Sequence, residues 1–402
     1  MTRVLVVNTG SSSLKYQLID PADGTWSARG LAERIGESGS RMRFERPGEV
    51  PEEDVVPLPD HAAALSRMLE ALGASTGGLD DLIAVGHRAV HGGSLFRDPV
   101  VIDAEVEEQI ERLVPLAPLH NPAVLVGIRV LRRLMPDVPH VAVFDTAFHA
   151  AMPPEAATYA IPTDVAADHG IRRYGFHGTS YRYVTRRSAE FLGISVDEAD
   201  LIVAHLGNGA SMAAVRGGVG VDTSMGLSPL AGLVMGTRSG DIDPAIVFHL
   251  VHVAGMSMDE VDEMLNKRSG LKGLAGHQDM REVRRMADAG DERARLALAV
   301  YSYRIRAYIG AYRAILPGLK ALVFTAGIGE NDPDLRHDVC EPLRHLGISL
   351  DPVLNAAPSR RSRAIDDGTG PIRVLVVPTN EEAEIARQAA EAVAAYRSPD
   401  GS

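Results

Sequence analysis

Two arginines stand out in this sequence because each lies among glycines. Arg88 lies in the segment GHRAVHGG after an apolar run, and Arg238 lies between Gly236 and Gly240, where the backbone lets a ligand approach closely. A guanidinium offers a fixed fork of N–H donors that matches carboxylate or phosphoryl oxygens. A structural ion pair is the other interpretation, and for an arginine considered alone it is the commoner one. The spacing therefore leaves two possibilities, an anion site or two structural pairs.

The N-terminal segment VLVVNTGSSSLKYQL contains a turn of small residues that could hold a phosphate. It does not match the nucleotide loop G-x-x-x-x-G-K-[ST], because Gly10 has no second glycine five residues on and Lys15 is followed by Tyr16. Leu14, Tyr16 and Leu18 alternate with polar residues, which is the period of a half-buried strand. We predict a strand, a turn and a second strand, with a phosphate site or an ordinary polar hairpin as the two interpretations.

A similar pattern returns about 200 residues later. In DLIVAHLGNGASMAAV an apolar run is followed by a turn of Gly207, Asn208 and Gly209 and a second apolar run. The repeat predicts an internal duplication into two α/β domains, each with one hairpin and with the ligand held between them. Neither GNGASM nor GIGEND has the third glycine of G-x-G-x-x-G, so a dinucleotide-dependent dehydrogenase is not expected.

Other segments fit the same α/β plan. HVAVF is a buried strand that ends at Asp145, and RVLVV is a strand followed by a helix in which Thr379 and Glu382 match a capping box. Glu381 is then in the first turn of that helix, beside a strand end where α/β proteins usually bind ligands. Asp243 precedes Pro244 and an apolar run, so it is expected to cap a helix.

A long helix is predicted from residue 291 to residue 316. Its apolar positions keep helical spacing, and Pro317-Gly318 ends the run. The residues of this stripe are Leu296, Val300, Tyr303, Ala307, Ala311 and Ile315.

The composition of the chain limits the kinds of binding partner that are expected. The chain has 402 residues, a net charge of −12 and a pI near 5.6, which argue against nucleic acid or an anionic membrane as partner. Cys340 is the single cysteine, which excludes internal disulfides and cysteine-built zinc sites and fits a reducing compartment. We find no apolar run near 18 residues. The expectation is a cytoplasmic protein of two or three domains without a membrane span.

Several histidines are candidates for chemistry. His87 and His91 have a metal-ligand spacing, but no glutamate follows His87 as the zinc-protease motif requires, so zinc is not expected. His177 could be a packed core histidine, the commoner role for a single histidine. His120 and His205 are expected to be structural or to lie next to the site.

Ten segments in series resemble the acetate kinase (acetokinase) family, the short-chain carboxylate kinases of the sugar kinase, Hsp70 and actin superfamily. They cover the chain from residue 4 to about residue 395. The segments are NTGSSSLK, GHRAVHGG, PLHNP, FDTAFH, YGFHGTS, AHLGNG, DTSMGLSPLAG, MGTRSGDIDP, AGIGEN and PTNEE. Thr9, Leu227, Ala231 and the pair His277-Gln278 depart from the residues usual in that family, and the last pair is expected to affect the nucleotide pocket.

The resemblance implies a fold of class α/β with two duplicated ribonuclease H-like (actin-like ATPase) domains and a central cleft. The first domain would cover residues 1–150, with a C-terminal helix over about 383–398 packing back on it. The second, nucleotide-binding domain would cover residues 151–382.

The implied activity is that of acetate kinase, a phosphotransferase with a carboxyl group as acceptor. It would transfer the γ-phosphoryl group of ATP to acetate reversibly and in line, giving acetyl phosphate and ADP. Such a site needs cations and preorganised donors, and no general base, because acetate is already ionised at neutral pH. A propionate or butyrate kinase of the same family, and an actin- or Hsp70-like nucleotide switch without a carboxylate substrate, are the alternatives.

The resemblance also assigns residues. The catalytic residues would be Arg88, Arg238, His177, Asp145 and Asn8. The acceptor would be bound by Arg88, Val90, Leu119, Phe176 and Pro229. The nucleotide would be bound by Lys15, His205, Leu206, Gly207, Asn208, Gly209, Asp279, Met280, Arg281, Gly327, Ile328, Gly329, Glu330 and Asn331. In the family the histidine matching His177 donates a hydrogen bond to the transferring phosphoryl group.

The expected cofactor is Mg²⁺, with Mn²⁺ as a substitute, because hard cations take oxygen ligands from few protein groups. Glu381 and Asp145, each at a strand end, are the predicted carboxylate ligands, and the family places Asn8 close to the metal. Descriptions of the family sometimes give Asp145 an acid/base role, whereas the chemistry favours metal positioning. A homodimer is the expected assembly.

Overall fold

The strands form two sheets that belong to two separate units of the chain. The computed structural model describes residues 2–76, 78–118 and 120–398. Unit 1 runs from the N-terminus to Ala147 and includes the segment from Asn380 on, and unit 2 runs from Phe148 to Thr379.

The sheet of unit 1 is mixed and has the order β5-β4-β3-β2-β1-β6-β8-β7 within the described residues. β1 is parallel to β6 and β6 is parallel to β8, whereas the remaining neighbours are antiparallel. The strands are β1 (Arg3–Thr9), β2 (Ser13–Ile19), β3 (Trp26–Glu33), β4 (Arg41–Glu45), β5 (Glu52–Val55), β6 (Leu82–Ala89), β7 (Val100–Val101) and β8 (His140–Phe144).

The sheet of unit 2 has the order β11-β10-β9-β12-β14-β13. Its strands are β9 (Leu201–Leu206), β10 (Ala210–Arg216), β11 (Val219–Thr223), β12 (Ala321–Thr325), β13 (Arg363–Ala364) and β14 (Arg373–Val376). β9 pairs antiparallel with β10 and parallel with β12, and β12 is parallel to β14. This pattern repeats β3-β2-β1-β6-β8-β7 of unit 1 strand for strand, including the antiparallel strand at the end. The duplication predicted from the two hairpins is thus visible as one strand order used twice.

Helices alternate with these strands. They are α1 (His61–Thr76), α2 (Ala104–Arg112), α3 (Asn121–Leu134), α4 (Pro154–Ala157), α5 (Thr163–Asp168), α6 (Gly178–Leu192), α7 (Ala245–His252), α8 (Met258–Lys267), α9 (Gly270–Ala275), α10 (Met280–Asp288), α11 (Glu292–Ile315), α12 (Ala326–Asn331), α13 (Pro333–Cys340), α14 (Pro352–Ala356) and α15 (Glu381–Arg397). Short 3-10 helices lie at Val114–Leu116, Ala147–His149, Val196–Glu198 and Glu341–Leu346. Across the described residues, no helix combines the length and the apolar character needed to cross a membrane.

Successive side chains of β1 point to opposite faces of the first sheet, and both faces are covered. Leu5 and Val7 lie in a buried cluster with side chains of α1 and α3. Val4 and Val6 point to the other face and lie in a cluster with Ile385 of α15. Each fully buried Val or Leu stabilises the fold by about 1.5–3 kcal/mol relative to exposure. α15, at the far end of the chain, therefore completes the core of unit 1.

The second sheet is covered in a similar way. Val203 of β9 and Val323 of β12 lie in a buried cluster with Tyr181 and Val184 of α6. The long helix α11 packs against β9 and β10.

The capping box predicted at Thr379 and Glu382 is wrong. The helix N-cap is Asn380, whose Oδ1 accepts from the backbone N–H of Ala383 at 3.0 Å. The Thr379 hydroxyl instead bonds to Ser180, and α15 begins at Glu381, so that residue does lie in the first turn. Asparagine caps as well as threonine, and the pattern alone did not distinguish two neighbouring candidates.

The apolar stripe predicted for the long helix is also wrong, although the helix itself is confirmed at Glu292–Ile315 with Asp291 as N-cap. None of the stripe residues is buried, and Leu296 and Tyr303 are 59% and 61% exposed. The buried side is formed instead by Ala294, Ala297, Tyr301, Ser302, Ile305, Ile309 and Tyr312. The helix has apolar residues on two sides, so periodicity identified a helix but selected the wrong face.

The helix after Asp243 starts one residue later than predicted. α7 begins at Ala245, with Pro244 in the N-cap place, and Asp243 Oδ1 accepts from the N–H of Ala245 at 2.9 Å. Asp243 therefore still satisfies a free N–H at the start of the helix.

Candidate active site

In unit 1 the candidate residues lie at the carboxyl ends of three neighbouring strands. β1, β6 and β8 run parallel, so these ends meet at one edge of the sheet. Val7 pairs with His87 across the first two strands, which brings Asn8 beside Arg88. Asp145 follows β8, and its N–H donates to the Ala89 carbonyl at 2.9 Å.

Arg88 lies between two carboxylates. Its Nη2 donates to Asp145 Oδ2 at 2.8 Å and its Nε to the same oxygen at 3.1 Å, while Nη1 lies 3.3 Å from Glu381 Oε2. The Asp145 side chain is 3% exposed. One guanidinium therefore faces two carboxylates, and the cluster has an excess of negative charge.

The pKa values in this cluster follow from its charges. Burial alone would lower the pKa of Arg88, but Asp145 and Glu381 together raise it above its usual value. Burial raises the pKa of Glu381, and the neighbouring Asp145 and Glu382 raise it further, against the opposite effects of Arg88 and Lys15. A cation near Glu381 would stabilise its ionised form.

The first hairpin is closed by a short turn. Gly10 N–H donates to the Ser13 carbonyl at 2.8 Å, and β1 and β2 pair in register from Val4 to Thr9. Lys15, on β2, forms an ion pair with Glu382 in the first turn of α15. Lys15 is thus held beside the carboxylate cluster.

Sequence reasoning missed a residue that holds the loop after Arg88. Gly92 N–H donates to Thr146 Oγ1 at 2.9 Å, and Asn121 Nδ2 donates to the His91 carbonyl at 3.2 Å. Thr146 and Asn121 are both buried. The signal available was the position of Thr146 directly after Asp145, at the end of a buried strand.

His87 pairs with a second histidine. It lies on strand β6, where its Nε2 is 2.9 Å from Nδ1 of His140. Burial lowers the pKa of both histidines, that of His140 to about 4. The pair is therefore neutral at physiological pH and joins β8 to β6, the strand that also carries Arg88.

In unit 2 three predicted residues come together at the second hairpin. Gly207 N–H donates to the Gly209 carbonyl at 3.1 Å and closes the turn. A Cβ added to Gly209 would lie 3.5 Å from His177 Nε2 and 3.6 Å from Arg238 Nη2. An imidazole, a guanidinium and a bare backbone thus border the same space, which suits a phosphoryl group.

His177 is held from several sides. It adopts a left-handed backbone conformation (φ 58°) immediately before α6, an uncommon one for a residue with a side chain. Its Nδ1 lies 2.8 Å from Ser211 Oγ, and its ring stacks on His205 with centroids 4.1 Å apart. His205 in turn bonds to Ser180 Oγ through Nδ1 at 2.8 Å.

Arg238 has a different environment from Arg88. Its Nη1 donates to the Pro229 carbonyl at 2.8 Å and lies 3.5 Å from Met235 Sδ. Among the described residues no carboxylate forms an ion pair with it, and burial lowers its pKa. A partly buried guanidinium without an acidic partner is a suitable anion site.

A cavity of about 860 Å³ opens beside this hairpin within unit 2. This volume is in the range of small-molecule sites. Of the residues predicted to bind nucleotide, its wall contains Gly207, Asn208, Asp279, Met280, Arg281, Gly327, Ile328 and Asn331. His205, Leu206, Gly209, Gly329 and Glu330 lie in the same unit but outside that wall, and Gln278 lies in it.

A buried arginine that the sequence did not reveal supports one side of this cavity. Arg336 donates to the carbonyls of Gly329 and Glu330, at the end of α12, and to Asn355. Glu330 accepts from the Thr379 N–H at 3.1 Å. The GIGEN segment is thereby fixed from both sides.

The residues predicted to contact the methyl end of the acceptor divide between the units. Val90 belongs to unit 1, whereas Phe176 and Pro229 belong to unit 2. Phe176 is buried, and its carbonyl accepts from His149 Nε2 at 3.1 Å. Leu119 lies outside the described residues.

No group of three or more His, Cys, Asp or Glu side chains in the described ranges is arranged to hold a metal. Asp145 and Glu381 form a pair of oxygen donors with excess negative charge, which fits a hard cation that takes one or two carboxylates and completes its shell with phosphate and water.

The two sheets with their hairpins define a duplicated actin-like ATPase fold. The acetokinase family model matches residues 3–387, and the chain belongs to that family. The family resemblance drawn from the ten segments is thereby confirmed.

Close relatives extend this result. The chain is 58% identical over 397 residues to the acetate kinase of Leifsonia xyli subsp. xyli (strain CTCB07), covering 98% of this chain and 100% of the relative. The crystal structure of Porphyromonas gingivalis acetate kinase matches with a TM-score of 0.93 at 41% identity, covering 98% and 100% of the two chains. A propionate kinase from Francisella tularensis subsp. tularensis SCHU S4 matches with a TM-score of 0.91 at 42% identity, covering 96% and 99%.

Proposed function

We propose that this protein is an acetate kinase, which transfers the γ-phosphoryl group of ATP reversibly to acetate. The observation that carries the proposal is the group around Gly209, where His177 and Arg238 border a bare backbone turn and Arg238 has no carboxylate partner in the part of the chain that the structure describes. The names of curated relatives at 50–58% identity support the same activity.

The reaction requires the protein to position the reactants and to stabilise negative charge. A carboxylate oxygen of acetate forms a bond to the γ-phosphorus, and the bond from that phosphorus to the oxygen shared with the β-phosphate breaks, so ADP leaves with the electron pair. No proton has to move, because acetate is ionised and ADP leaves as an anion. Donors that stabilise the charge on the equatorial oxygens therefore supply the catalysis.

In unit 2, Arg238 and His177 would donate to the transferring phosphoryl group. The turn Gly207–Gly209 would approach the phosphates, and the adjoining cavity would receive the rest of the nucleotide. Lys15 of unit 1 would add a further cation for a phosphate. We propose unit 2 as the nucleotide domain and unit 1, completed by α15, as the acceptor and metal domain.

In unit 1, Arg88 would bind the carboxylate of the acceptor. Asp145, Glu381 and Asn8 would hold Mg²⁺, or Mn²⁺ in its place. Bound there, the metal would supply positive charge to the phosphate oxygens. Because Asp145 is ion-paired with Arg88, its proposed role is to position charge, and an acid/base role is not needed.

Val90, Leu119, Phe176 and Pro229 would receive the methyl group of acetate. A single extra methylene in an apolar pocket changes specificity by only about 1–3 kcal/mol. Propionate is therefore expected to react more slowly, and the match to a propionate kinase makes this comparison necessary.

Acyl phosphate trapped with hydroxylamine tests the proposal directly. The purified protein is incubated with MgATP and acetate, propionate, butyrate or no carboxylate. The expected result is the largest kcat/KM with acetate. ATP loss that is independent of carboxylate would instead identify a nucleotide switch, and preference for a longer acid would identify another carboxylate kinase.

A homodimer is proposed on the surface of unit 2. No residue of the apolar helix α7 (AIVFHLVH) is buried, and Phe248 and, just after the helix, Val253 are 62% and 71% exposed. Such a helix needs a partner for its apolar side chains. A second copy of this chain is the proposed partner.

Sedimentation equilibrium tests this surface. Phe248→Asp and Val253→Asp are expected to convert a dimer to a monomer, with Tyr396→Asp, an equally exposed aromatic of α15, as the matched control. A wild-type monomer, or dimers in both variants, would contradict the proposal.

A cytoplasmic location is proposed because ATP is the substrate and because Cys340, the single cysteine, is a free buried thiol. Fractionation of native cells, with the protein followed by antibody, tests it.

A further inference from the structure

Two buried hydroxyl groups follow one another in a hydrogen-bonded series that starts at His177. His177 Nδ1 lies 2.8 Å from Ser211 Oγ, and the same oxygen lies 2.5 Å from the hydroxyl of Tyr181. Ser211 and Tyr181 are both fully buried, on β10 and α6 respectively. Sequence reasoning singled out neither residue.

The direction of the hydrogen bonds follows from counting protons. Each hydroxyl has one hydrogen, and the Tyr181 hydroxyl has Ser211 as its hydrogen-bond partner. If Tyr181 donates to Ser211, the serine hydrogen is free to donate to His177 Nδ1. The hydroxyl hydrogens of Tyr181 and Ser211 then both have an acceptor.

The opposite direction leaves a buried donor without an acceptor among the described residues. If His177 Nδ1–H donated to Ser211 and Ser211 to Tyr181, the phenolic hydrogen would need an acceptor other than these three side chains. An unpaired buried donor costs about 1–3 kcal/mol. A phenol is also a better donor than an aliphatic hydroxyl, which favours the first direction.

The first direction determines which nitrogen carries the proton. Nδ1 accepts from Ser211, so a neutral imidazole must be protonated at Nε2. Nε2 is the ring atom that would lie 3.5 Å from a Cβ on Gly209. The stacking on His205, with 19° between the ring planes, holds the ring in this orientation.

We propose that Tyr181 and Ser211 are positioning residues, which hold His177 as the tautomer protonated at Nε2 so that this N–H is directed at the phosphoryl site. The role of the N–H as a donor rests on the proposed function, whereas the tautomer itself does not.

Nitrogen NMR measures the tautomer without any turnover. The protein is labelled with ¹⁵N-histidine, and two-bond ¹H–¹⁵N spectra distinguish protonated from unprotonated ring nitrogens; His177→Gln assigns the signal. The expected wild-type result is a protonated Nε2 and an unprotonated, hydrogen-bonded Nδ1. In Ser211→Ala and Tyr181→Phe the two tautomers are expected to mix.

Kinetics provide the second measurement. Ser211→Ala is expected to lower kcat about 10-fold, and Tyr181→Phe is expected to lower it by less. In each variant the KM values for ATP and for acetate should change by less than about twofold. In a His177→Gln background neither change is expected to lower kcat further, because both act through His177. Tyr301→Phe is the matched control, since it removes another buried tyrosine hydroxyl, one that has no hydrogen-bond partner among the described residues.

The outcomes separate the two proposals. A wild-type His177 protonated at Nδ1, or a tautomer unchanged in both variants, would overturn the positioning role even if acyl phosphate forms. Additive losses of kcat in the His177→Gln background would also overturn it, because they would report general damage. The expected tautomers without carboxylate-dependent acyl phosphate would leave the positioning role standing and remove the proposed function.

Discussion

Arg88 and Arg238 were selected by the same sequence argument, yet the two units surround them in opposite ways. Arg88 in unit 1 is bound by Asp145 and lies 3.3 Å from Glu381, whereas Arg238 in unit 2 donates to a backbone carbonyl and pairs with no carboxylate among the described residues. A guanidinium near glycines therefore does not by itself define one kind of site. The cluster of Arg88, Asp145 and Glu381 has one more carboxylate than guanidinium and fits a cation. The Arg238 guanidinium, which has no carboxylate partner among the described residues, fits an anion.

The contrast is sharper because the framework is the same. Both units use a strand order with an antiparallel hairpin followed by parallel strands, and both carry a short turn of small residues on that hairpin. The turn of unit 1 adjoins the strand that carries Arg88, and the turn of unit 2 faces His177 and Arg238. The side chains that follow the strands, and not the strand order, therefore distinguish the two charge environments.

The largest expected effect is on turnover. Arg88→Ala and Arg238→Ala should each lower kcat/KM for acetate by about 10³-fold, because each removes a charged donor from a charge-stabilised transition state. Hydroxamate assays with saturating MgATP measure this loss. Arg67→Ala, an exposed arginine of α1, is the control. Near-normal turnover in either variant would remove that arginine from the mechanism.

The same two variants should differ in stability. Arg88→Ala removes the guanidinium that donates to the buried Asp145 and faces Glu381, and breaking a buried ion pair costs about 3–5 kcal/mol. Arg238→Ala removes a hydrogen bond to a carbonyl and a weak one to sulfur, and breaks no ion pair with the described residues, so we expect a change within about 1 kcal/mol. Urea unfolding midpoints measure both. The double variant Arg88→Ala/Asp145→Asn should recover part of the loss, and equal destabilisation by the two single variants would contradict the comparison.

Much of the fold could be predicted from the sequence because it depends on local patterns. The alternation around Tyr16 and the apolar runs on both sides of Gly207 correctly predicted the hairpins, and Asp291 correctly marked the start of a helix. The face of that helix could not be predicted, because apolar residues lie on two sides and burial depends on which other elements pack there. Leu296 and Tyr303 are exposed for this reason.

The site was only partly predictable for the same physical reason. Arg88, Asp145 and Glu381 were candidates one by one, but their mutual contacts join residues more than 50 and more than 200 positions apart, which no local spacing encodes. Ser211, Tyr181 and Thr146 have no chemical signature in sequence, because a hydroxyl gains a role only from its neighbours.

A smaller effect is expected at the turn of unit 2. In Gly209→Ala the new methyl group would lie at ordinary contact distance from His177 and Arg238, so the fold should be retained. The methyl would occupy the space proposed for a phosphate, and kcat/KM for ATP should fall about 30-fold without a change in melting temperature. Gly310→Ala, which meets open space on α11, is the control. A loss of stability equal to the loss of activity would contradict this interpretation.

The smallest expected effect concerns Glu381 and is a change in how the KM for Mg²⁺ depends on pH. Burial, Asp145 and Glu382 raise the pKa of Glu381, and a metal binds only its ionised form. The apparent KM for Mg²⁺ should therefore rise as the pH falls through that raised pKa. In Glu381→Gln this KM should be about 10-fold higher near neutral pH and should depend less on pH.

Glu382→Gln is the informative companion, because it removes a charge that raises the pKa of Glu381. The rise in the KM for Mg²⁺ should then move to lower pH, opposite to the behaviour of a variant that merely weakens the site. Initial rates at varied Mg²⁺ between about pH 5 and pH 8 measure all three proteins. A Mg²⁺ titration that is unchanged in Glu381→Gln would exclude Glu381 from the metal site, and the excess negative charge of the cluster of Arg88, Asp145 and Glu381 would then require another explanation.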